Sequence, residues 1–209
     1  MGTGDERDLV RRGYDALSYR YRSDDADDGQ YGPWLAELDR LLPESAAVLD
    51  LGCGCGVPVA RLLTRAGHTV TGADISEVQI RRARRLVPDA TFVCADATEL
   101  DFPLATFDAV VCFYALIHMP LTAQPDLIRR IAGWLRPGGW LVATVGDTAW
   151  TGREENWLGG PATMWWSQAD ASTYRMWLHQ AELSVEAQER IPEGTSAHTL
   201  FWAQRPPAL

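Results

Sequence analysis

Short apolar runs alternate with longer stretches in which apolar residues return every three or four positions, and this alternation fills the centre of the chain. The runs over 46–51, 68–74, 91–95, 107–113 and 139–146 read as buried strands. The stretches over 57–66, 76–87 and 123–136 carry the period of amphipathic helices. A parallel sheet needs this order, because each crossover between parallel strands takes a helix and both faces of the sheet are then covered. Pro58 suits the first turn of its helix, where a missing N–H costs nothing. Leu135-Arg136-Pro137-Gly138-Gly139 stops a helix and turns into the fifth strand. Residues 170–181 give one more helical pattern, and 184–191 and 197–204, joined by Pro192-Glu193-Gly194, read as a closing antiparallel pair.

The flanks are organised differently. Residues 1–45 form a predicted helical cap, with helical patterns over 6–20 and 33–42. Between them lies the acidic stretch Ser23-Asp-Asp-Ala-Asp-Asp-Gly29, expected as a self-repelling mobile loop. At 209 residues the chain suits one domain. It divides into cap (1–45), core (46–146), insertion (147–169) and closing helix and strand pair (170–209).

Composition narrows the function. The formal net charge is −9, and all 19 fixed cations are arginine, with no lysine in the chain. Schiff-base and P-loop lysine chemistry are therefore excluded. The acidic balance argues against a nucleic-acid partner, since phosphate binding rests on clustered cations. The one basic cluster, Arg81-Arg82-Ala83-Arg84-Arg85, reads as a solvated helix face. No apolar run is long enough to cross a bilayer, so no membrane association is expected. The amino terminus lacks a signal-peptide layout and a cytoplasmic location is expected. Cys53-x-Cys55 has no zinc-like partner pair and no metal site is expected. Cys94 and Cys112 read as small core residues, and a reduced compartment fits all four cysteines.

The chemistry concentrates where strands end. Asp50-Leu-Gly52-Cys-Gly54-Cys-Gly56 closes the first strand with an acid and three alternating glycines, which let backbone approach a ligand closely. The dinucleotide fingerprint would need a glycine in sixth place, which valines occupy here. Asp74 ends the second strand, where an acid can accept hydrogen bonds from ribose hydroxyls; alternatively, it caps the next helix. Asp96-Ala97 ends the third strand. The fourth strand leads into Phe113-Tyr-Ala-Leu-Ile-His118.

Together these segments, over roughly 46–146, resemble the class I S-adenosylmethionine (SAM)-dependent methyltransferases of the small-molecule type. The resemblance implies an α/β fold with a seven-stranded, mostly parallel sheet, one antiparallel strand and helices on both faces. It implies SAM as cofactor, with S-adenosylhomocysteine as product, bound across the carboxyl ends of strands one and four. Its expected contacts are Asp50, Gly52, Gly54, Gly56, Asp74, Ile75, Asp96, Ala97 and Phe113. Asp96 and Ala97 match the position that meets adenine.

The expected reaction is methyl transfer to oxygen or nitrogen of a small, aromatic or amine-bearing metabolite, by a monomer or homodimer. The alternatives are a SAM-binding protein without methyl transfer and a nicotinamide oxidoreductase. His118 is the candidate base, since its ordinary pKa suits proton removal, or else a pocket-wall residue. Related enzymes bring a cap tyrosine over the methyl donor. Tyr14, Tyr19 and Tyr21 all lie in the cap; Tyr19 is the candidate for that role, beside Tyr14 as a substrate contact. Five tryptophans crowd residues 150–177. Trp165 or Trp166 is expected in the substrate pocket and Trp177 in the core, with Gly146, Gly152, Gly159 and Gly160 as hinges of a lid.

Overall fold

The computed structural model describes residues 3–208. Two helices come first, α1 (Thr3–Tyr21) and α2 (Tyr31–Leu41). The alternating core follows as β1 (Ala47–Leu51), α3 (Val59–Arg65), β2 (Thr69–Asp74), α4 (Glu77–Leu86) and β3 (Thr91–Cys94). It continues through β4 (Phe107–Cys112), α5 (Gln124–Trp134) and β5 (Leu135–Gly146). The chain then forms β6 (Trp150–Glu154), β7 (Met164–Gln168), α6 (Ala171–Gln180), β8 (Ser184–Glu193) and β9 (Ser196–Gln204). The main sheet runs β3-β2-β1-β4-β5-β9-β8, and β9 is antiparallel to both β5 and β8.

Each face of the sheet buries alternate residues of the same strands, as the two-residue period requires. Val48, Val70, Ala109 and Val111 pack against Leu35 and Leu38 of α2, Ala60 and Leu63 of α3, and Ile80 of α4. Leu49, Leu51, Val110 and Cys112 pack against Leu127, Ile128 and Ile131 of α5 and Leu178 of α6. Two helices start on side-chain caps, which satisfy N–H groups that have no partner within the helix. The Ser76 hydroxyl accepts from Gln79 N–H at the start of α4, and the Asp170 carboxylate accepts from Thr173 N–H at the start of α6.

The closing pair matches the expected ranges closely, but three expectations need correction. The insertion is a second sheet: β6 pairs antiparallel with β7, from Trp150 opposite Gln168 to Glu154 opposite Met164. It docks on α1, where Val10 and Leu17 pack with Trp157, Met164 and Trp165. Gly160 lies against Leu17, where an added Cβ would come within 2.5 Å of its methyl carbon. Of the predicted hinge glycines, Gly146 and Gly152 therefore sit in strands and Gly160 in a packed contact, and Gly159 alone of the four is exposed in a turn. Second, the acidic stretch is pinned rather than loose. Asp24 binds Arg82 and Arg85, and Asp28 binds Arg61 at 3.1 Å. Arg82 is only 3% exposed, so the basic cluster is in part a buried anchor for the cap. Third, Cys94 is exposed at the end of β3, whereas Cys112 is in the core as expected.

Candidate active site

The carboxyl ends of β1, β2, β3 and β4 converge on one cavity of about 690 Å³, counting its open mouth. One wall is made largely by backbone. Gly52 has a φ of +77°, and a Cβ there would sit 2.3 Å from the Ala115 Cβ, so glycine is required on both counts. Gly54 donates its N–H to Asp74 Oδ2 at 2.9 Å, and Ser76 N–H reaches Asp74 Oδ1 at 2.8 Å. Burial pushes the Asp74 carboxyl up to about 6 despite these two donors.

A smaller recess adjoins this wall, sharing Tyr21, Gly52, Gly54 and Phe113 with the main cavity and adding Arg22 and Asp50. Asp50 is buried, and its Oδ2 has no hydrogen-bond partner among the described residues. Burial and the nearby charge of Asp74 raise its pKa to about 8. A buried carboxylate oxygen without a donor is costly unless a ligand supplies one.

The opposite wall is aromatic. Val10, Tyr14, Leu17 and Tyr21 recur at helical spacing on α1, and Tyr14 and Tyr21 line the cavity. Tyr14 lies edge-on to Tyr21, Trp157 and His118, with ring centroids 5.0–5.6 Å apart. His118 ends a short 3₁₀ turn after β4. Its Nδ1 lies 2.8 Å from the Trp165 carbonyl oxygen, and its Nε2 lies 3.1 Å from the Tyr14 hydroxyl. A carbonyl only accepts, so Nδ1 carries the proton and Nε2 accepts from Tyr14. Burial lowers the His118 pKa to about 4, against the opposing Trp165 hydrogen bond and with His198 reinforcing the shift.

The structure gathers Gly52, Gly54, Asp74, Ile75, Asp96, Ala97, Phe113, Tyr14 and His118 around the cavity and Asp50 beside it. Four expectations are corrected. Gly56 packs inward, 3.2–3.5 Å from Phe92, Val87 and Ala83 as measured from a built Cβ, and serves helix–sheet packing. Tyr19 is 62% exposed on the outer face of α1, under the Arg82 guanidinium at 3.9 Å. Trp165 is buried against α1 and contributes its carbonyl rather than its ring. Trp166 stands behind His118, ring to ring at 4.3 Å, and does not line the cavity. Trp177 packs on the core against Tyr174 as expected. His198 belongs to β9 and pairs with Glu193 at 3.3 Å.

The sequence does not single out Arg7, Arg22 and Tyr114, all of which line the cavity or its recess, and of the cap tyrosines it favours Tyr19 where Tyr21 lines the cavity. The period of Val10, Tyr14, Leu17 and Tyr21 was the available signal for Tyr21. Arg7 reaches across the mouth to Asp96 Oδ2 at 2.7 Å, and Thr98 donates to Asp96 Oδ1. Burial alone would raise the Asp96 pKa, but these donors outweigh it and hold the carboxyl below the usual range.

Residues 48–139 match a family described as a methyltransferase domain. A 2-methyl-6-phytyl-1,4-hydroquinone methyltransferase of Synechocystis is 36% identical over 150 residues, covering 69% of this chain and 44% of that protein. The 1,6-didemethyltoxoflavin-N1-methyltransferase of Burkholderia thailandensis superposes with a TM-score of 0.73 at 22% identity, covering 99% and 91% of the two chains. The cyclase SpnF superposes with a TM-score of 0.72 at 20% identity, covering 95% of each. The chain spans about half the length of the curated relatives it matches. The chain belongs to the class I SAM-dependent methyltransferase superfamily.

Proposed function

We propose that this protein binds SAM and transfers its methyl group to an oxygen or nitrogen of a small aromatic or amine-bearing metabolite. One observation carries the reading: a single cavity joins the Gly52, Gly54 and Asp74 wall to the Tyr14 and His118 wall. In this reading Asp74 accepts from the ribose hydroxyls and the Asp96–Ala97 corner meets adenine, with Ile75 and Phe113 beside them. The unpaired Asp50 oxygen and Arg22 suit the ammonium and carboxylate of the methionine end. When bound, the cofactor supplies a sulfonium methyl already activated for displacement. The chain's own task is then to hold the acceptor in line, exclude water and receive a proton. The hydroquinone and toxoflavin named for the two similar methyltransferases support a planar acceptor.

The test is calorimetric titration with SAM, S-adenosylhomocysteine and NADH in parallel. Both adenosyl ligands bind and NADH does not, and Asp74→Ala weakens SAM by about 100-fold, the equivalent of about 3 kcal/mol of charge-assisted hydrogen bonding. Unchanged SAM affinity in that variant would overturn the assignment. The likeness to a cyclase supports a second reading, SAM binding without methyl transfer. Release of S-adenosylhomocysteine on incubation with phenols and arylamines separates the two.

A further inference from the structure

Both ring nitrogens of His118 are already engaged, Nδ1 by the Trp165 carbonyl and Nε2 by the Tyr14 hydroxyl. The imidazole therefore presents no lone pair of its own to an acceptor in the cavity. Tyr14 lines that cavity, and its oxygen, which also shares a hydrogen bond with Tyr21, keeps a lone pair after donating to Nε2. We infer that Tyr14 is the catalytic residue that meets the acceptor, and that it relays the acceptor's proton to His118. This rests on the methyl-transfer reading above.

The relay balances. The acceptor O–H bond breaks as its proton moves to the Tyr14 oxygen, and Tyr14's own proton moves to His118 Nε2. The electron pair freed on the acceptor oxygen forms the bond to the methyl carbon, and the carbon–sulfur pair leaves on sulfur. His118 becomes an imidazolium, and two contacts already in place suit that charge. The Trp165 carbonyl still accepts from Nδ1–H, and the Trp166 ring lies 4.3 Å from the imidazole. Burial, and after it His198, oppose the charge, so the resting ring is neutral and can receive a proton. Trp165 and Trp166 act here as positioning residues, and the β6–β7 sheet sets the tautomer.

The experiment combines a spectroscopic and a kinetic arm. Nitrogen NMR of protein labelled in histidine, with His118 assigned by His118→Asn, is expected to show a protonated Nδ1 and an accepting Nε2. Tyr14→Phe moves Nε2 toward an unbonded nitrogen and leaves Nδ1 protonated. In turnover with SAM, Tyr14→Phe lowers methylation of phenol by about 100-fold. Methylation of 4-nitrophenol, ionised at about pH 8, is spared, and SAM affinity is unchanged. A protonated Nε2, an equal loss on both phenols, or wild-type protein that binds SAM and methylates neither phenol overturns the relay. Failure of the underlying reading has a different signature: the wild type binds no SAM, whatever its imidazole tautomer.

Discussion

On one side of the cavity Gly52 and Gly54 make a wall of main chain, and Asp74 is held by two N–H groups of the same loops. On the other side Tyr14, Tyr21 and His118 are held by ring packing between α1, the turn after β4 and the β6–β7 sheet. The first wall is local: each part lies within a few residues of a strand end. The second is assembled from segments far apart in sequence, as Tyr14 and His118 illustrate, with a separation of 104. A wall of the first kind tolerates little change in residue type. The second depends on where whole elements dock.

The largest effect is expected at the footing of the aromatic wall. Arg82 is buried and donates to Asp24, Ser18 and the Arg22 carbonyl, tying α1 to α4. Arg82→Ala takes the donor from the Arg22 carbonyl and leaves Asp24 to Arg85 alone, and costs about 3–5 kcal/mol in urea unfolding. Gly52→Ala comes next, at about 2–3 kcal/mol, from the positive φ and the clash with Ala115. It should also abolish SAM binding by calorimetry. If it left SAM affinity intact, the backbone-built character of that wall would be refuted.

Smaller still is a pH effect that separates the walls. Asp50 and Asp74 have folded pKa values raised to about 8 and about 6. Their contribution is fully present below the unfolded carboxylate pKa and is lost as pH rises through those values. His118, lowered to about 4, works oppositely: its contribution is present above about 6.5 and lost as pH falls toward 4. Between about pH 7.5 and 8.5, above the range in which an unfolded histidine takes up protons, the raised Asp50 carboxyl dominates: the melting temperature of the ligand-free protein falls, and Asp50→Asn flattens that fall in scanning calorimetry. The smallest effect is expected at Trp150, which is 47% exposed on β6. Trp150→Ala stays within about 0.5 kcal/mol and leaves SAM binding unchanged.

The sheet was legible because its strands carry apolar runs and its helices a 3.6-residue period, both short-range signals. The loop glycines and the acids at the strand ends were legible for the same reason. The β6–β7 sheet was not, because β6 is exposed along most of its length and shows no alternation. Residue type does not separate Tyr19 from Tyr21; helical face does, since Tyr21 continues the inward row of Val10, Tyr14 and Leu17 and Tyr19 falls outside it. Gly56 looked like a ligand contact by spacing, yet its φ of +77° serves a turn whose inner side faces Phe92. The Asp24–Arg82 anchor was not legible because it joins an acidic run to a basic run far apart in sequence, and neither run alone shows its partner.

The Trp165 carbonyl that orients His118 belongs to the main chain. Substitution of the residue at 165 leaves that oxygen in place so long as β7 keeps its pairing with β6. The position can therefore drift in side-chain identity while its contribution is inherited intact. A one-residue slip of β7 would do what few side-chain changes can, turning the strand's inward residues outward and carrying the oxygen away from the ring. What selection must guard at this point is a register, and a register leaves no single-letter trace in a sequence.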